Sequence, residues 1–403
     1  MLKLALRNIL RQKTRTAMTL AAIVVSVVGL ILSSGFVEDI FKSLGEAVIR
    51  SQSGHLQVGR AGYFTHGARK PEQYLIAGHE PVRRAIASLP EVDDVMARLS
   101  FSGLLNNGRT DHAIVGEGIE PEREARLGSA IRILSGRQLS STDRFGILLG
   151  EGVAQALGLS SGSRATLLLN TADGAMNALD FEVVGVFRSM AKDYDDRAVR
   201  IPLAAAQELL ATRGVNVVVV SLRETDATAR AASALAALVE GRGLEVKRWE
   251  ELNDFYAKTV ELYERQLGVL RLIVLVMVLL SVTNTVNMTV HERIGEVGTM
   301  RAIGNRSRDV FRLIVLECLI LGVLGAGLGA LLGAGLAQLI SAIGIPMPPP
   351  PNANSGYLAQ IRLTGWTVAG AFAVGLLATI VASLVPARRV TRIDIVDALR
   401  QNV

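Results

Sequence analysis

The chain has one cysteine, Cys318, in 403 residues. No intrachain disulfide can form, so any exported portion must be held by its own core. Aromatic residues are sparse, at 4%, and no Lys/Arg block is interleaved with rings. Nucleic-acid binding is therefore disfavoured, although the net charge is +6 and the pI near 9.7. No glycine is followed directly by lysine, so the Walker A loop that cradles nucleotide phosphates is missing. The five histidines are scattered. His291 and Glu292 open a zinc-protease pattern, but Gly295 stands where the second histidine must be. Gly116 and Gly118 precede Pro121 instead of completing a dinucleotide fingerprint. The sequence thus predicts no catalytic residue and no metal site.

What is present is apolar surface in blocks. Half of the residues are hydrophobic and the mean hydropathy is +0.35, yet a fifth are charged, so the two kinds must be segregated. A span needs about 20 apolar residues. Residues 17–36, 272–290, 313–345 and 366–385 qualify. A cleaved signal peptide is the alternative for the first, but its apolar run is long and lacks an A-x-A-like site. Lys3, Arg7, Arg11, Lys13 and Arg15 precede the first span, Arg293, Arg301, Arg306, Arg308 and Arg312 follow the second, and Arg388, Arg389, Arg392 and Arg400 follow the fourth. By the positive-inside rule these segments and both termini face the cytoplasm. Splitting the long third stretch into two spans would put the Arg-rich tail outside, so it is expected to be one helix.

The predicted fold is an α-helical membrane protein with four transmembrane helices and a large α+β periplasmic domain between the first and second spans. In order, residues 1–16 form a cytoplasmic amphipathic segment and 17–50 the first span with a stalk. The domain takes 51–250, and 251–290 the second stalk and span. A cytoplasmic segment of 291–308 leads to the third span of 309–345, a Pro-rich outer loop of 346–362, the fourth span of 363–386 and a cytoplasmic tail of 387–403. Strand-like runs at 54–58, 113–115, 165–169, 181–187 and 215–222 alternate with helical ones at 81–89, 150–157, 203–212 and 227–240. Helical apolar spacing continues past the first span through Ile40, Leu44 and Val48, and precedes the second through Leu262, Tyr263, Leu267 and Leu270. These stripes make either a stalk able to carry motion or a face packed under the domain.

Between the second and third spans lies HERIGEVGTMRAIGNRSRDVFR, residues 291–312. Ile294, Val297 and Arg301 share a helical face, and Gly304 with Asn305 is a helix stop. The segment is either a docking surface for another protein or a solvated connector. Glu317 inside the third span is costly. It is expected to hydrogen-bond a polar patch on the second span that includes Thr283, Asn284, Asn287 and Thr289. Gly325, Gly329 and Gly333 open one face of the third span to close helix packing, with the fourth span or a second copy of the chain as partner. The run at 346–351 reads as an extended polyproline spacer.

These motifs resemble the MacB/FtsX superfamily of ABC-transporter permeases. The pattern of acid and arginine, E-V-G, then R-A-x-G is carried by Glu292, Arg293, Glu296, Val297, Gly298, Arg301, Ala302 and Gly304. Glu317 with Gly322, Gly325 and Gly329 carries the intramembrane glutamate followed by glycines. Residues 386–389 and 398–400 carry the closing P-A-R-R and A-L-R, with Ile395 where the family often has proline. Gly136 with Arg137, Gly162 and residues 183–187 resemble the family's periplasmic domain. The resemblance implies a permease that binds no cofactor itself, with ATP and Mg on a separate cytoplasmic ABC ATPase subunit. Coupling attaches to Glu292, Arg293, Glu296 and Arg301, with Ile294 and Val297 as apolar contacts. It also implies a dimer with a second permease copy or a paralogue, in the bacterial inner membrane. The layout is similar to lipoprotein-releasing permeases, which work by mechanotransmission on a lipophilic substrate. MacB-like efflux with a periplasmic adaptor or chaperone, and FtsX-like signalling to a cell-wall hydrolase, are the alternatives.

Overall fold

A computed structural model describes residues 2–11, 13–67, 70–127, 131–171, 173–189, 192–347 and 357–392. It divides into two units, one of residues 1–41, 259–346 and 358–403, the other of 42–258 with 347–357.

Among the described residues four helices are long and apolar enough to cross a membrane, Lys13–Ser51, Tyr256–Thr289, Ser307–Ile343 and Gly365–Arg389, and their apolar runs lie in the first unit. The third stretch is one helix of 37 residues. Its start is fixed by Asp309, whose carboxylate accepts the Arg306 backbone N–H at 3.2 Å, and its end by Gly344 at φ 73°. The fourth begins where Thr364 Oγ1 accepts the Thr367 N–H at 3.2 Å. Ile23, Val27 and Ile31 of the first span, Val282 of the second and Ala326 of the third are buried in one core. The second span is the least covered; Leu272, Ile273, Val276, Met277 and Leu280 are exposed.

The second unit is an α+β domain around a ten-stranded mixed sheet among the described residues. Its strands are β1 (Leu56–Arg60), β2 (Val92–Asn106), β3 (Asp111–Ile119), β4 (Arg132–Gly136), β5 (Gly146–Gly150), β6 (Arg164–Asn170), β7 (Met176–Arg188), β8 (Ala198–Pro202), β9 (Val217–Leu222) and β10 (Leu244–Arg248). The order is β10-β1-β9-β2-β3-β8-β5-β7-β4, with β6 bridging β2 and β7. The fifteen-residue β2 organises it. Its first half pairs antiparallel with β9 and its second half with β3. Each half carries its own core. Val58, Val95, Val218 and Val220 pack with Ile86 and Leu235 of two helices on one side, and Leu99, Phe101, Ile147, Phe181 and Ile201 pack together on the other.

Every strand-like run of the sequence reading falls within or overlaps a strand, and the helical ones overlap Glu80–Ala87, Glu151–Leu157, Leu203–Leu209 and Thr228–Val239. Within the expected polyproline run, residues 346 and 347 belong to a short strand, Ile345–Met347. Residues 348–351, Ile395 and 398–400 lie outside the described residues.

Candidate functional site at one end of the helix bundle

The segment after the second span folds as a nine-residue helix, Ile294–Ala302. It is separated from the span by Arg293, whose φ −105°, ψ 12° breaks the helical run. Gly304 at φ 104° ends it, a left-handed turn that favours glycine. Charged side chains tie this short helix, and the two residues before it, to neighbouring helices. Glu296 pairs with Arg293 at 3.0 Å and with Arg11 of the N-terminal helix Leu2–Arg11 at 3.0 Å. Glu292 receives a two-pronged hydrogen bond from Arg15 at the start of the first span. Arg293 also reaches Glu317 of the third span at 3.4 Å. Of these groups Arg15, Arg293, Glu296 and Glu317 line a crevice of about 70 Å³, together with Thr16, Val286 and Ile314.

Two expectations need correction here. Ile294 and Val297 are 4% and 8% exposed. They face the bundle core, because the helix turns its charged side outward, so they are not surface contacts for a partner. The exposed apolar residue beside them is Ile303, at 80%. Arg301 is half-buried. Glu317 does not bond the second span. Its carboxylate accepts from Asn8 Nδ2 at 2.6 Å and from Arg293 Nη1. Ten residues past Ser307, about 15 Å of helix rise, it is within reach of the N-terminal helix. Among the described residues Asn284 and Asn287 make no side-chain hydrogen bond, and Thr283 donates instead to the Ala382 carbonyl at 3.3 Å.

The glycine stripe meets the first span, a partner that its spacing did not reveal. A Cβ on Gly325 would lie 2.9 Å from Ile23, one on Gly329 2.8 Å from Val27 Cβ, and one on Gly333 2.9 Å from Ile31.

Inside the domain lies a set of charges of which Arg98, Glu124 and Arg200 are buried. Arg98 grips Glu124 with Nε at 2.5 Å and Nη2 at 2.9 Å. Arg200 pairs with Glu117 at 3.3 Å and donates to the Ser51 carbonyl at 3.1 Å. Tyr194 donates to Glu117 at 3.0 Å and accepts from Arg200. Burial alone would raise the Glu117 carboxyl, but Arg98 and Arg200 hold it below the usual carboxylate range. Burial pushes the Tyr194 phenol up. A second chain of bonds runs through His55, whose Nδ1 accepts the Leu222 N–H at 3.1 Å. Its Nε2 donates to Thr225 at 3.1 Å, and Thr225 donates to Glu46. Burial pushes this imidazole down to about 4, so it is neutral with the proton on Nε2.

Residues 158–162 read G-L-S-S-G, the spacing of a serine-hydrolase elbow. The structure puts it after a helix and before β6, the reverse of the strand–turn–helix order an elbow needs. No histidine or carboxylate hydrogen-bonds Ser160 among the described residues. Gly136 and Arg137 also have a local role. A Cβ at Gly136 would meet the Val184 carbonyl at 2.2 Å, and Arg137 forks onto Asp143 at 2.6 and 2.7 Å. Among the described residues no cluster of His, Cys, Asp or Glu could hold a metal ion.

Comparison with known proteins gives this arrangement a family. The MacB-like periplasmic core domain matches residues 16–238, and the FtsX-like permease C-terminal region matches 268–395. An uncharacterized ABC transporter permease of Methanocaldococcus jannaschii is 23% identical over 98% of this chain and 96% of its own length. The macrolide export ATP-binding/permease protein MacB of Rhodopseudomonas palustris is 22% identical over 79% of this chain and 48% of its own. The pyoverdine export ATP-binding/permease protein PvdT of Pseudomonas syringae is 29% identical over 54% and 33%. The chain therefore spans between a third and a half of those two exporters. The crystal structure of the periplasmic region of MacB from Actinobacillus actinomycetemcomitans aligns over 53% of this chain and 95% of its own, with 14% identity and a TM-score of 0.38. With one family domain covering more than half of its length and the second covering the remaining spans, the chain is a multi-pass membrane protein and belongs to the MacB/FtsX superfamily of ABC-transporter permeases.

Proposed function

We propose that the chain is the membrane half of a transporter whose ATP and Mg are bound by a separate cytoplasmic ATPase, and that it works by transmitting motion. It sits in a bacterial inner membrane with both termini in the cytoplasm and pairs with a second copy or a paralogue through its poorly covered second span. The observation that carries this reading is the charge cluster at Glu296. Through Arg11, Arg293, Glu317 and the Arg15–Glu292 pair, a push on the short helix is felt at once by the N-terminal helix and the first three spans. The first and second spans belong to helices of 36 and 39 residues, about 54 and 58 Å. Each outruns a hydrocarbon core of about 30 Å. The cargo is a lipoprotein or another lipophilic substrate taken from the periplasmic side. Efflux with an adaptor protein is the second reading, favoured by the exporters among the relatives.

Copurification tests both. The full chain should bring down a Walker-motif ATPase and, for the first reading, a lipid-modified protein. An adaptor in its place selects the second, and no ATPase at all would contradict both.

A further inference from the structure

At the other ends of the same spans lies a groove of about 780 Å³ that the reading above does not use. Arg271 immediately precedes the apolar run of the second span, Glu38 stands two residues past the end of that of the first, and Trp366 opens that of the fourth. All three line the groove with Ser34, while Leu30 and Val374 supply apolar wall. The polar groups are therefore at one edge of the bilayer, with hydrocarbon surface on its inner side. Arg271 donates to Ser34 Oγ at 3.4 Å and makes no ion pair with any described carboxylate. Glu38 accepts two hydroxyls on Oε2, from Thr367 at 2.9 Å and Thr364 at 3.3 Å. Its Oε1 has no partner among the described residues. Glu38 is one helical turn, about 6 Å, from Ser34 on the same face. Trp366 is 87% exposed, as befits a ring at headgroup level.

Arg271 is exposed at this edge, where a long cationic side chain reaches the headgroup level, and a carboxylate oxygen of Glu38 stands one turn further out. This order of cation, then anion, over an apolar wall complements a zwitterion whose phosphate lies nearer the hydrocarbon than its ammonium. We propose that the groove binds the headgroup of an aminophospholipid of the surrounding leaflet. Arg271 donates to the phosphate, Oε1 of Glu38 accepts from the primary ammonium, and an acyl chain lies along Leu30 and Val374. The site is independent of which substrate the transporter moves.

Native mass spectrometry of the full chain in detergent, titrated with palmitoyl-oleoyl phosphatidylethanolamine or phosphatidylglycerol, tests this. The ethanolamine lipid should bind about tenfold more tightly, the scale of one charge-assisted hydrogen bond. Arg271→Ala should weaken both lipids by a similar factor and Arg271→Lys should restore much of the loss. Glu38→Gln should abolish the preference while leaving the glycerol lipid unchanged. Equal binding of the two lipids by the wild type would overturn the proposal. So would Arg271→Ala binding the ethanolamine lipid as before, or altering the dimer fraction with no change in bound lipid, which would make the groove an interface between copies.

Discussion

Arg98 is 4% exposed and its partner Glu124 2%, in a domain with no disulfide. A buried pair of this kind is costly to create and costlier to break, because the surviving charge is left without compensation. Arg98→Ala should therefore destabilise the domain by about 3–5 kcal/mol. Urea unfolding followed by Trp249 fluorescence in a Trp366→Phe background would measure it, whereas a loss under 1 kcal/mol would mean the cluster is hydrated. His55 makes a prediction of a different sign. Its folded pKa, about 4, lies below the ordinary 6.5. Protonation therefore favours the unfolded chain, and the contribution is complete above pH 6.5 and lost as pH falls from there towards 4. At pH 5 the loss is about 2 kcal/mol, while Glu117 loses its stabilisation only below its ordinary 4.5. Hydrogen exchange of β1 and β9 should show this weakening between pH 7 and 5. In His55→Leu the domain should be weaker throughout, and its pH dependence in that window should shrink to the part left by His79, whose imidazole burial also pushes down. None of these residues was legible in the sequence, since Arg98 and Arg200 are single charges within largely apolar strands and their partners are distant along the chain.

At the scale of elements, the spans were legible because lipid demands one long apolar run for each. The glycine face was legible as a packing face, but its partner was not, because spacing says which side of a helix is open and not what fills it. Gly329→Leu should separate the first and third spans, since even its Cβ would be 2.8 Å from Val27. Gly327→Leu, with nothing within 4 Å, should be tolerated. Thermal stability in detergent should fall by several degrees for the first and hold for the second; equal falls would rule out this packing. The strand β2 escaped the sequence reading for a related reason. Flanked by β9 and β3, it buries residues on both faces over Val95–Leu99, and alternation disappears. The N-terminal helix was read as amphipathic, but nothing in its sequence announced that Asn8 would reach Glu317, 309 residues away.

For the whole molecule, the family and the layout of four spans and one domain followed from motifs and charge, whereas the site's wiring needed coordinates. The segment expected to present Ile294 and Val297 to a partner instead turns them inward and presents Glu296 and Ile303, with Arg11 of the N-terminal helix paired to Glu296. On the mechanism proposed above, this charged surface passes the work of a separate ATPase into the spans. The direct measurement is substrate-stimulated ATP hydrolysis by the purified transporter in lipid nanodiscs, comparing wild type with Glu296→Ala and with Glu296→Ala combined with Arg11→Ala. The prediction is an assembled complex with basal hydrolysis within about twofold of wild type and stimulation reduced by about tenfold, the size of a lost coupling of 1–2 kcal/mol. Unchanged stimulation in the double variant would contradict it.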